Sequence, residues 1–266
     1  MKKGGPFAMY YSSLCRRLCP TAGQKQLIMV AFGIFEAMSM SLELNLAEIR
    51  IRIGQAASRA NRDPAQVKLI AVSKMHPVES LREAMAAGAT VFGENKVQEA
   101  ESKILEIGRE GIEWHLIGHL QSNKARKAVH LFDVIQSVDS VELAERLERI
   151  CEEEGREELS VFAQVDLAGE ATKSGIAESE LQSMVAYLKT CKHLRLDGLM
   201  LLPPFFDDPE ATRPYFKRLR AIRDEILPSG DMSMGMSHDF EVAIEEGATV
   251  VRVGTAIFGE RDYDQR

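Results

Sequence analysis

Eight short apolar segments, each followed by a segment with helical spacing, repeat along the chain after its first 40 residues. The apolar segments are rich in β-branched residues, which is typical of strands that are buried on both faces of a parallel sheet. Eight such alternations favour a single parallel (β/α)8 TIM barrel over an open, doubly wound sheet. The predicted strands are Val67–Ser73, Thr90–Gly93, Trp114–Ile117, Val134–Ser137, Ser160–Val165, Leu196–Leu201, Met232–Gly235 and Val250–Val253.

The segments between these strands have apolar residues at helical spacing, and an additional helix precedes the first strand. Ser41 is a candidate cap of this extra N-terminal helix, which we expect to cover the bottom of the barrel or to pack outside it. Residues 41–266 are therefore expected to form one domain. The other predicted helices are Pro77–Ala87, Lys96–Gly108, Ser122–His130, Asp139 or Ser140 to Glu154, Glu178–Cys191, Asp207–Ile226 and Asp239–Glu246, before a short final helix.

Residues 1–40 do not follow this pattern, and we predict that they are an extension outside the core. Their apolar run, Leu27–Phe35, is too short to span a bilayer. A weak membrane anchor or an extra docking helix is the alternative, and a signal peptide is disfavoured because no convincing cleavage site follows.

Charge and cysteine content exclude several classes of protein. The net charge of −7 argues against a general nucleic-acid binder, which normally has a basic face. The four cysteines are scattered and show neither zinc-ligand spacing nor a disulfide framework, so we expect no metal site and a cytoplasmic location. Nothing in the barrel segments predicts a membrane protein.

Lys74 closes the first predicted strand and is the strongest single indication of chemistry. A lysine that is partly desolvated has a lowered pKa, and its neutral amine is a nucleophile for carbonyl groups. The alternative is that the side chain only reaches solvent at the end of the strand. Because the sites of such barrels lie at the C-terminal ends of the strands, Lys74 stands where function is expected.

The loops after the last two predicted strands have the composition of a phosphate site. Ser237 and Thr255 supply hydroxyl groups, and Gly254 allows the backbone to approach an anion closely. The alternative is that both hydroxyl groups only cap helices. Arg252 lies in the apolar run of the last strand, where it either pairs with a carboxylate such as Glu94 or donates to a ligand.

A carbonyl-reactive lysine together with a phosphate site indicates pyridoxal 5'-phosphate (PLP), the cofactor form of vitamin B6. A lysine aldolase acting on a phosphorylated sugar would use the same groups without a cofactor.

Several longer motifs resemble those of the pyridoxal phosphate homeostasis protein family, which is similar to the N-terminal barrel of alanine racemase and thus to fold type III PLP proteins. The resemblance covers roughly residues 42–260. The motifs are Ala71–Lys74, Phe92–Glu99, Trp114–Lys124, Lys173–Gly175, Leu196–Met200, Ser233–Asp239 and Val251–Gly259.

The resemblance implies a role for each of the candidate site residues. Lys74 would carry the cofactor as a Schiff base, and Arg252 would face its pyridine nitrogen. Asn95 would lie near the ring, and Lys173 matches a lysine that affects cofactor transfer. The phosphate would be held by Ser237, Gly254 and Thr255, and the lining would include Met200, His119 and Ser137.

The resemblance also implies a carrier that buffers and delivers PLP without substrate turnover. An arginine at the pyridine nitrogen keeps its proton, so the ring is a poor electron sink. We also expect the protein to lack the C-terminal β domain and the catalytic tyrosine of alanine racemase. The expected partners are PLP and PLP-dependent apo-enzymes, with the protein a monomer or a weak dimer; a PLP-dependent amino-acid racemase is the alternative.

Overall fold

A computed structural model describes residues 42–169 and 174–259. In these residues, eight parallel strands pair in sequence order, and pairing of the first with the last closes a barrel, which confirms the predicted fold class. A ninth strand of two residues, β6, pairs only with β5 and was not predicted. The strands are β1 (Lys68–Val72), β2 (Val91–Glu94), β3 (Glu113–Leu116), β4 (Val134–Val138), β5 (Leu159–Asp166), β6 (Ile176–Ala177), β7 (Leu194–Leu201), β8 (Asp231–Met236) and β9 (Val250–Val253).

The helices form an outer layer whose apolar faces lie against the strands. The predicted helix at Ser122–His130 begins as a 3-10 turn, and the one predicted to reach Cys191 ends at Leu188. The helices are α1 (residues 42–59), α2 (Val78–Ala86), α3 (Val97–Ile107), α4 (Ala125–Leu131), α5 (Val141–Glu154), α6 (Glu178–Leu188), α7 (Arg213–Ile226), α8 (Phe240–Glu245) and α9 (Thr255–Phe258).

Helix α5 shows how the sequence specifies these elements. Ser140 caps the helix by accepting a hydrogen bond from the Leu143 backbone N–H at 3.2 Å, as predicted for this position. Gly155 ends it in the left-handed region, at φ 66°. Its buried side chains recur at helical spacing and pack into the main core, namely Leu143, Ala144, Leu147, Ile150 and Cys151.

The extra helix α1 packs outside the barrel, which was one of the two predicted positions. Its Asn45 donates to the Ile257 carbonyl of α9 at 2.9 Å, and its Arg52 pairs with Glu241 of α8 at 3.3 Å. Because α9 is only one turn long, α1 occupies the outer layer where a full eighth helix would otherwise lie.

Three sequence predictions lie outside the described residues, namely the non-core extension of residues 1–40, the helix cap at Ser41 and the position of Lys173. Within residues 42–169 and 174–259, no helix combines the length and the hydropathy needed to cross a bilayer.

Candidate functional site

Lys74 lies in a tight turn directly after β1. The turn is closed by a hydrogen bond of 3.1 Å from the His76 N–H to the Ser73 carbonyl. Met75 has a φ of 65°, in the left-handed region that costs a non-glycine residue free energy. Its N–H donates to a carboxylate oxygen of Glu99. Lys74 is thus held between two anchored neighbours.

A buried ionic cluster fixes this turn from below, and we call it the Lys103 cluster (Ser73, Glu94, Glu99 and Lys103). Lys103 Nζ lies 2.7 Å from Glu94 Oε1, 2.7 Å from Glu99 Oε1 and 2.8 Å from the Ser73 carbonyl oxygen. Ser73 Oγ also donates to Glu94 Oε1 at 2.6 Å. The cluster therefore ties the residues on both sides of Lys74 to one ammonium group.

Glu94 is the electrostatically most constrained member of the Lys103 cluster, because burial raises its pKa despite its two hydrogen-bond donors. Burial raises the pKa of Glu94, while the ammonium of Lys103 and the hydroxyl of Ser73 oppose that rise. Its second oxygen, Oε2, is buried without a hydrogen-bond partner in the described structure. A carboxylate in such a place depends on its cation, because breaking a buried pair leaves an uncompensated charge.

A cavity of ≈ 480 Å³ lies at the C-terminal ends of the strands. Its volume is within the range of about 300–1,000 Å³ that is typical of small-molecule sites. Six of the seven cofactor residues that were predicted from the sequence line it, namely Lys74, Asn95, Ser237, Arg252, Gly254 and Thr255. The fold therefore brings an amine, a guanidinium and two hydroxyl groups into one enclosure.

The loops after β8 and β9 meet at one side of this cavity. Ser237 Oγ accepts hydrogen bonds from the backbone N–H groups of Gly254 at 3.1 Å and Ala256 at 3.4 Å. A side chain at position 254 would place its Cβ 3.2 Å from the Val72 carbonyl oxygen, so glycine suits this close approach to β1. These N–H and hydroxyl groups form a cradle of the type that binds phosphate.

Arg252 lies at the inner wall of the cavity and is 3% exposed. Its Nη1 donates to Ser233 Oγ, and its Nη2 donates to the Leu201 carbonyl at 2.8 Å. Burial lowers the pKa of Arg252 to about 10, which leaves it protonated at neutral pH. Since a guanidinium has five N–H groups, these two bonds leave other donors of Arg252, which is one of the residues lining the cavity. The carboxylate of Glu94 bonds within the Lys103 cluster, and not with Arg252.

The remaining predicted residues lie around this cavity at different depths. Gly118 allows the loop carrying Asn95 to approach, because a Cβ there would lie 2.4 Å from the Asn95 carbonyl oxygen. Met200 is fully buried beneath the cavity, packed with Val72 and Ile117, because its side chain points into the barrel.

Two further residues that were expected in the lining, His119 and Ser137, are not among the residues that line the cavity. His119 Nδ1 is 3.0 Å from Asp139 Oδ2 at an exposed position, and Ser137 Oγ donates to the Gly118 carbonyl at 2.7 Å. Ser137 thus supports the loop that carries Gly118.

Two aromatic residues line the cavity that were not among the predicted cofactor residues, Phe205 and His238, although His238 was recognised as a polar residue at a strand end. Their ring centroids are 5.5 Å apart, and His238 Nε2 is 3.0 Å from the Asp207 carbonyl oxygen. His238 adjoins Ser237, so its place directly after a strand end was a usable signal. Phe205 lies in a loop without periodicity and gave none.

Sequence comparison places the chain among known proteins. Residues 44–262 match the family described as alanine racemase, N-terminal domain. A pyridoxal phosphate homeostasis protein from Pseudomonas aeruginosa is 45% identical over 220 residues, which cover 82% of this chain and 95% of that protein.

Structural comparison agrees with the sequence matches. PipY of Synechococcus elongatus, solved with PLP bound, has a TM-score of 0.72 and 40% identity, covering 82% of this chain and 100% of PipY. Alanine racemase of Clostridium difficile has a TM-score of 0.65 at 16% identity, over 84% of this chain and 58% of the racemase, which shows a shared fold alone. The identities of 45% to the Pseudomonas aeruginosa protein and 40% to PipY extend over nearly the whole length of both relatives. They show that the chain belongs to the pyridoxal phosphate homeostasis protein family.

Proposed function

We propose that the protein binds PLP covalently at Lys74 and carries and buffers it for the cell without turning over a substrate. One observation carries this proposal: the amine of Lys74, the cradle of Ser237, Gly254 and Thr255, and the guanidinium of Arg252 line the same cavity. An aldehyde, a phosphate and a pyridine nitrogen are the three groups that these side chains would recognise.

Each group has a separate task in this proposal. PLP supplies an aldehyde, which condenses with a neutral lysine amine and releases water. The turn after β1 presents the Lys74 amine in the cavity, and the Lys103 cluster keeps that turn in place. The hydroxyl groups of Ser237 and Thr255 would bind the phosphate beside the closely approaching backbone of Gly254, and Arg252 would donate to the ring nitrogen. PipY, with PLP bound, supports the match of this cavity to that ligand.

The carrier role is tested with the purified protein and PLP. We expect a visible absorption band on mixing, loss of that band on borohydride reduction, and reactivation of a PLP-dependent apo-enzyme when the unreduced complex is added. A lysine aldolase would need no coloured cofactor. Absence of the band would overturn the proposal, and a band without any transfer would restrict the protein to storage.

Thr255→Val is expected to weaken PLP binding about 10–100-fold while leaving the affinity for pyridoxal unchanged. The hydroxyl is lost without a change of shape, and a hydrogen bond to a charged group is worth about 1.5–3 kcal/mol. Titration of both vitamers, followed by absorbance, measures the difference.

Ser237→Ala is a matched comparison for this prediction. Its loss should be smaller, because the Gly254 and Ala256 N–H groups that Ser237 engages become available to the phosphate. Equal weakening of PLP and pyridoxal by Thr255→Val would contradict the placement of the phosphate in this cradle.

The holo-protein should not racemise free amino acids at a useful rate. A protonated Arg252 donates to an unprotonated ring nitrogen, which weakens the electron sink that carbanion chemistry needs. His238 lines the cavity and is the observation that favours the racemase alternative. Incubation of each amino acid in deuterated water measures exchange at the α-carbon. Rapid exchange that depends on Lys74, with loss of optical purity, would establish the racemase instead.

A further inference from the structure

A continuous chain of buried polar side chains runs from Arg252 through the inside of the barrel to its opposite rim. It passes from Arg252 Nη1 to Ser233 Oγ, Gln136, His115 and Glu113 Oε1, with successive atoms 2.5–2.9 Å apart. Ser233, Gln136 and His115 are each at most 1% exposed. Glu113 begins β3, so the chain connects the floor of the cavity with the N-terminal mouth of the barrel.

All the hydrogen bonds of this chain can run in the same direction, so that each residue donates to the next one toward Glu113. Arg252 donates to Ser233 Oγ, Ser233 donates to Gln136 Oε1, and Gln136 Nε2 donates to His115 Nδ1. His115 Nε2–H then donates to Glu113 Oε1 at 2.7 Å. A neutral histidine with its proton on Nε2 satisfies each donor and acceptor along the way.

If the bonds ran in the opposite direction, the same atoms would not all have hydrogen-bond partners. If the Gln136 amide were reversed, its oxygen would face His115 Nδ1, which would then need a proton. Nε2 also needs its proton to bond with Glu113, so His115 would become a buried cation, and Ser233 would lose its acceptor. Burial lowers the pKa of His115, which is consistent with the neutral form. The histidine tautomer therefore determines the orientation of the Gln136 amide. The amide orientation in turn determines the direction in which the Ser233 hydroxyl donates.

The far end of the chain is anionic. The hydrogen bond from His115 lowers the pKa of Glu113 to about 2, against the effect of its partial burial, and Lys68 Nζ lies 2.9 Å away. A cation at the cavity is thus joined to an anion at the rim by three neutral groups whose dipoles are aligned. Such alignment stabilises the cation without bringing a carboxylate into the cofactor cavity, where it would compete for the Arg252 donors.

We propose that Gln136 and His115 are positioning residues that, through Ser233, hold the guanidinium of Arg252 in the orientation in which its remaining N–H groups face the ring nitrogen of the cofactor. This proposal rests on the function proposed above. It assigns to Glu113, on the far rim, the role of terminal acceptor that orients the whole chain.

The test breaks the chain in the middle with Gln136→Met, which keeps the length of the side chain. We expect the visible absorption maximum of the bound cofactor to shift and the dissociation constant for PLP to rise about tenfold, as for the loss of one hydrogen bond next to a charged group. Gln164→Met is the matched control, since Gln164 is also buried, and it donates to the Ser174 carbonyl and not to any member of the chain from Arg252 to Glu113.

The two variants separate positioning from simple stability. Each loses a buried amide, so both melting temperatures should fall by similar amounts, whereas only Gln136→Met should alter the spectrum and the affinity for PLP. Unchanged cofactor properties in Gln136→Met, or equal changes in both variants, would overturn the proposal.

A measurement on the apo-protein keeps this test independent of the proposed function. Nitrogen-15 NMR of the histidines should find His115 neutral with its proton on Nε2, and Gln136→Met should change that signal while Gln164→Met leaves it unchanged. A proton on Nδ1 would refute the direction of the chain even if PLP binds. Failure of the wild-type protein to bind PLP would instead refute the proposed function, and the apo signals would still decide whether the chain exists.

Discussion

Lys74→Ala is expected to abolish both the visible absorption band formed with PLP and the borohydride-stable attachment of the cofactor. The substitution removes the amine that the turn after β1 presents to the cavity. The fold should survive, because Lys74 follows the strand and is not part of the hydrophobic core. The melting temperature of the apo-protein should stay within about 2–4 °C of wild type, which corresponds to roughly 1 kcal/mol in a chain of this size.

Lys96→Ala is the control for this experiment, since Lys96 is an exposed lysine next to Asn95 and does not line the cavity. It should retain the band and the adduct. Mass spectrometry of the reduced, digested protein should find the cofactor on the peptide that contains Lys74. An adduct mapped to Lys173 or Lys96 in the wild-type protein would overturn the assignment.

Lys103→Met should lower the free energy of unfolding by about 3–5 kcal/mol, because it leaves the buried carboxylate of Glu94 without its cation. Lys103 Nζ also bonds with the Ser73 carbonyl and with Glu99, so the same change loosens the turn that holds Lys74. Cofactor affinity should therefore fall together with stability. Chemical denaturation of the apo-protein and PLP titration measure the two effects.

Two further variants test whether loss of the buried ion pair causes the fall in the free energy of unfolding. Lys127→Met removes an exposed pair with Glu101 and should cost no more than about 1 kcal/mol. Combining Lys103→Met with Glu94→Gln should recover part of the loss, because no uncompensated charge remains buried. If Lys103→Met and Lys127→Met were equally mild, the Lys103 cluster would not be the support that its geometry indicates.

The barrel could be predicted from the sequence because most of its strands are short, mainly apolar segments that alternate with segments of helical spacing. The order of pairing follows from the parallel barrel itself, and so does the meeting of Lys74, Arg252 and Thr255 at one end. Strand β6 could not be predicted, since two residues show no periodicity. The 3-10 turn before α4 was missed for a similar reason, because helical spacing does not distinguish the first turn of a helix from a tighter one.

The supporting residues of the site were harder to predict than the residues that line it. Lys103 falls on the apolar face of α3, between Ala100 and Ile104, and a lysine in that stripe was a signal of a buried partner. Its partner Glu94 lies on a strand, and no spacing rule connects a strand with a helix. Likewise, His115 and Gln136 come from different strands, so only the closed barrel shows that they touch.

The pairing of β1 with β9 has a consequence for the order in which the protein is made. Lys74 is translated well before Arg252 and Thr255, so a nascent chain has the amine before it has the residues on the other side of the cavity. Cofactor binding would therefore require the closed barrel, in which β1 pairs with β9. In the proposed site, PLP would contact residues on both sides of the β1–β9 pairing, so a free PLP concentration of 100 times the dissociation constant would stabilise the folded protein by about 2.7 kcal/mol. Under the proposed function, the cofactor-free protein would therefore open at this seam more often than the loaded protein.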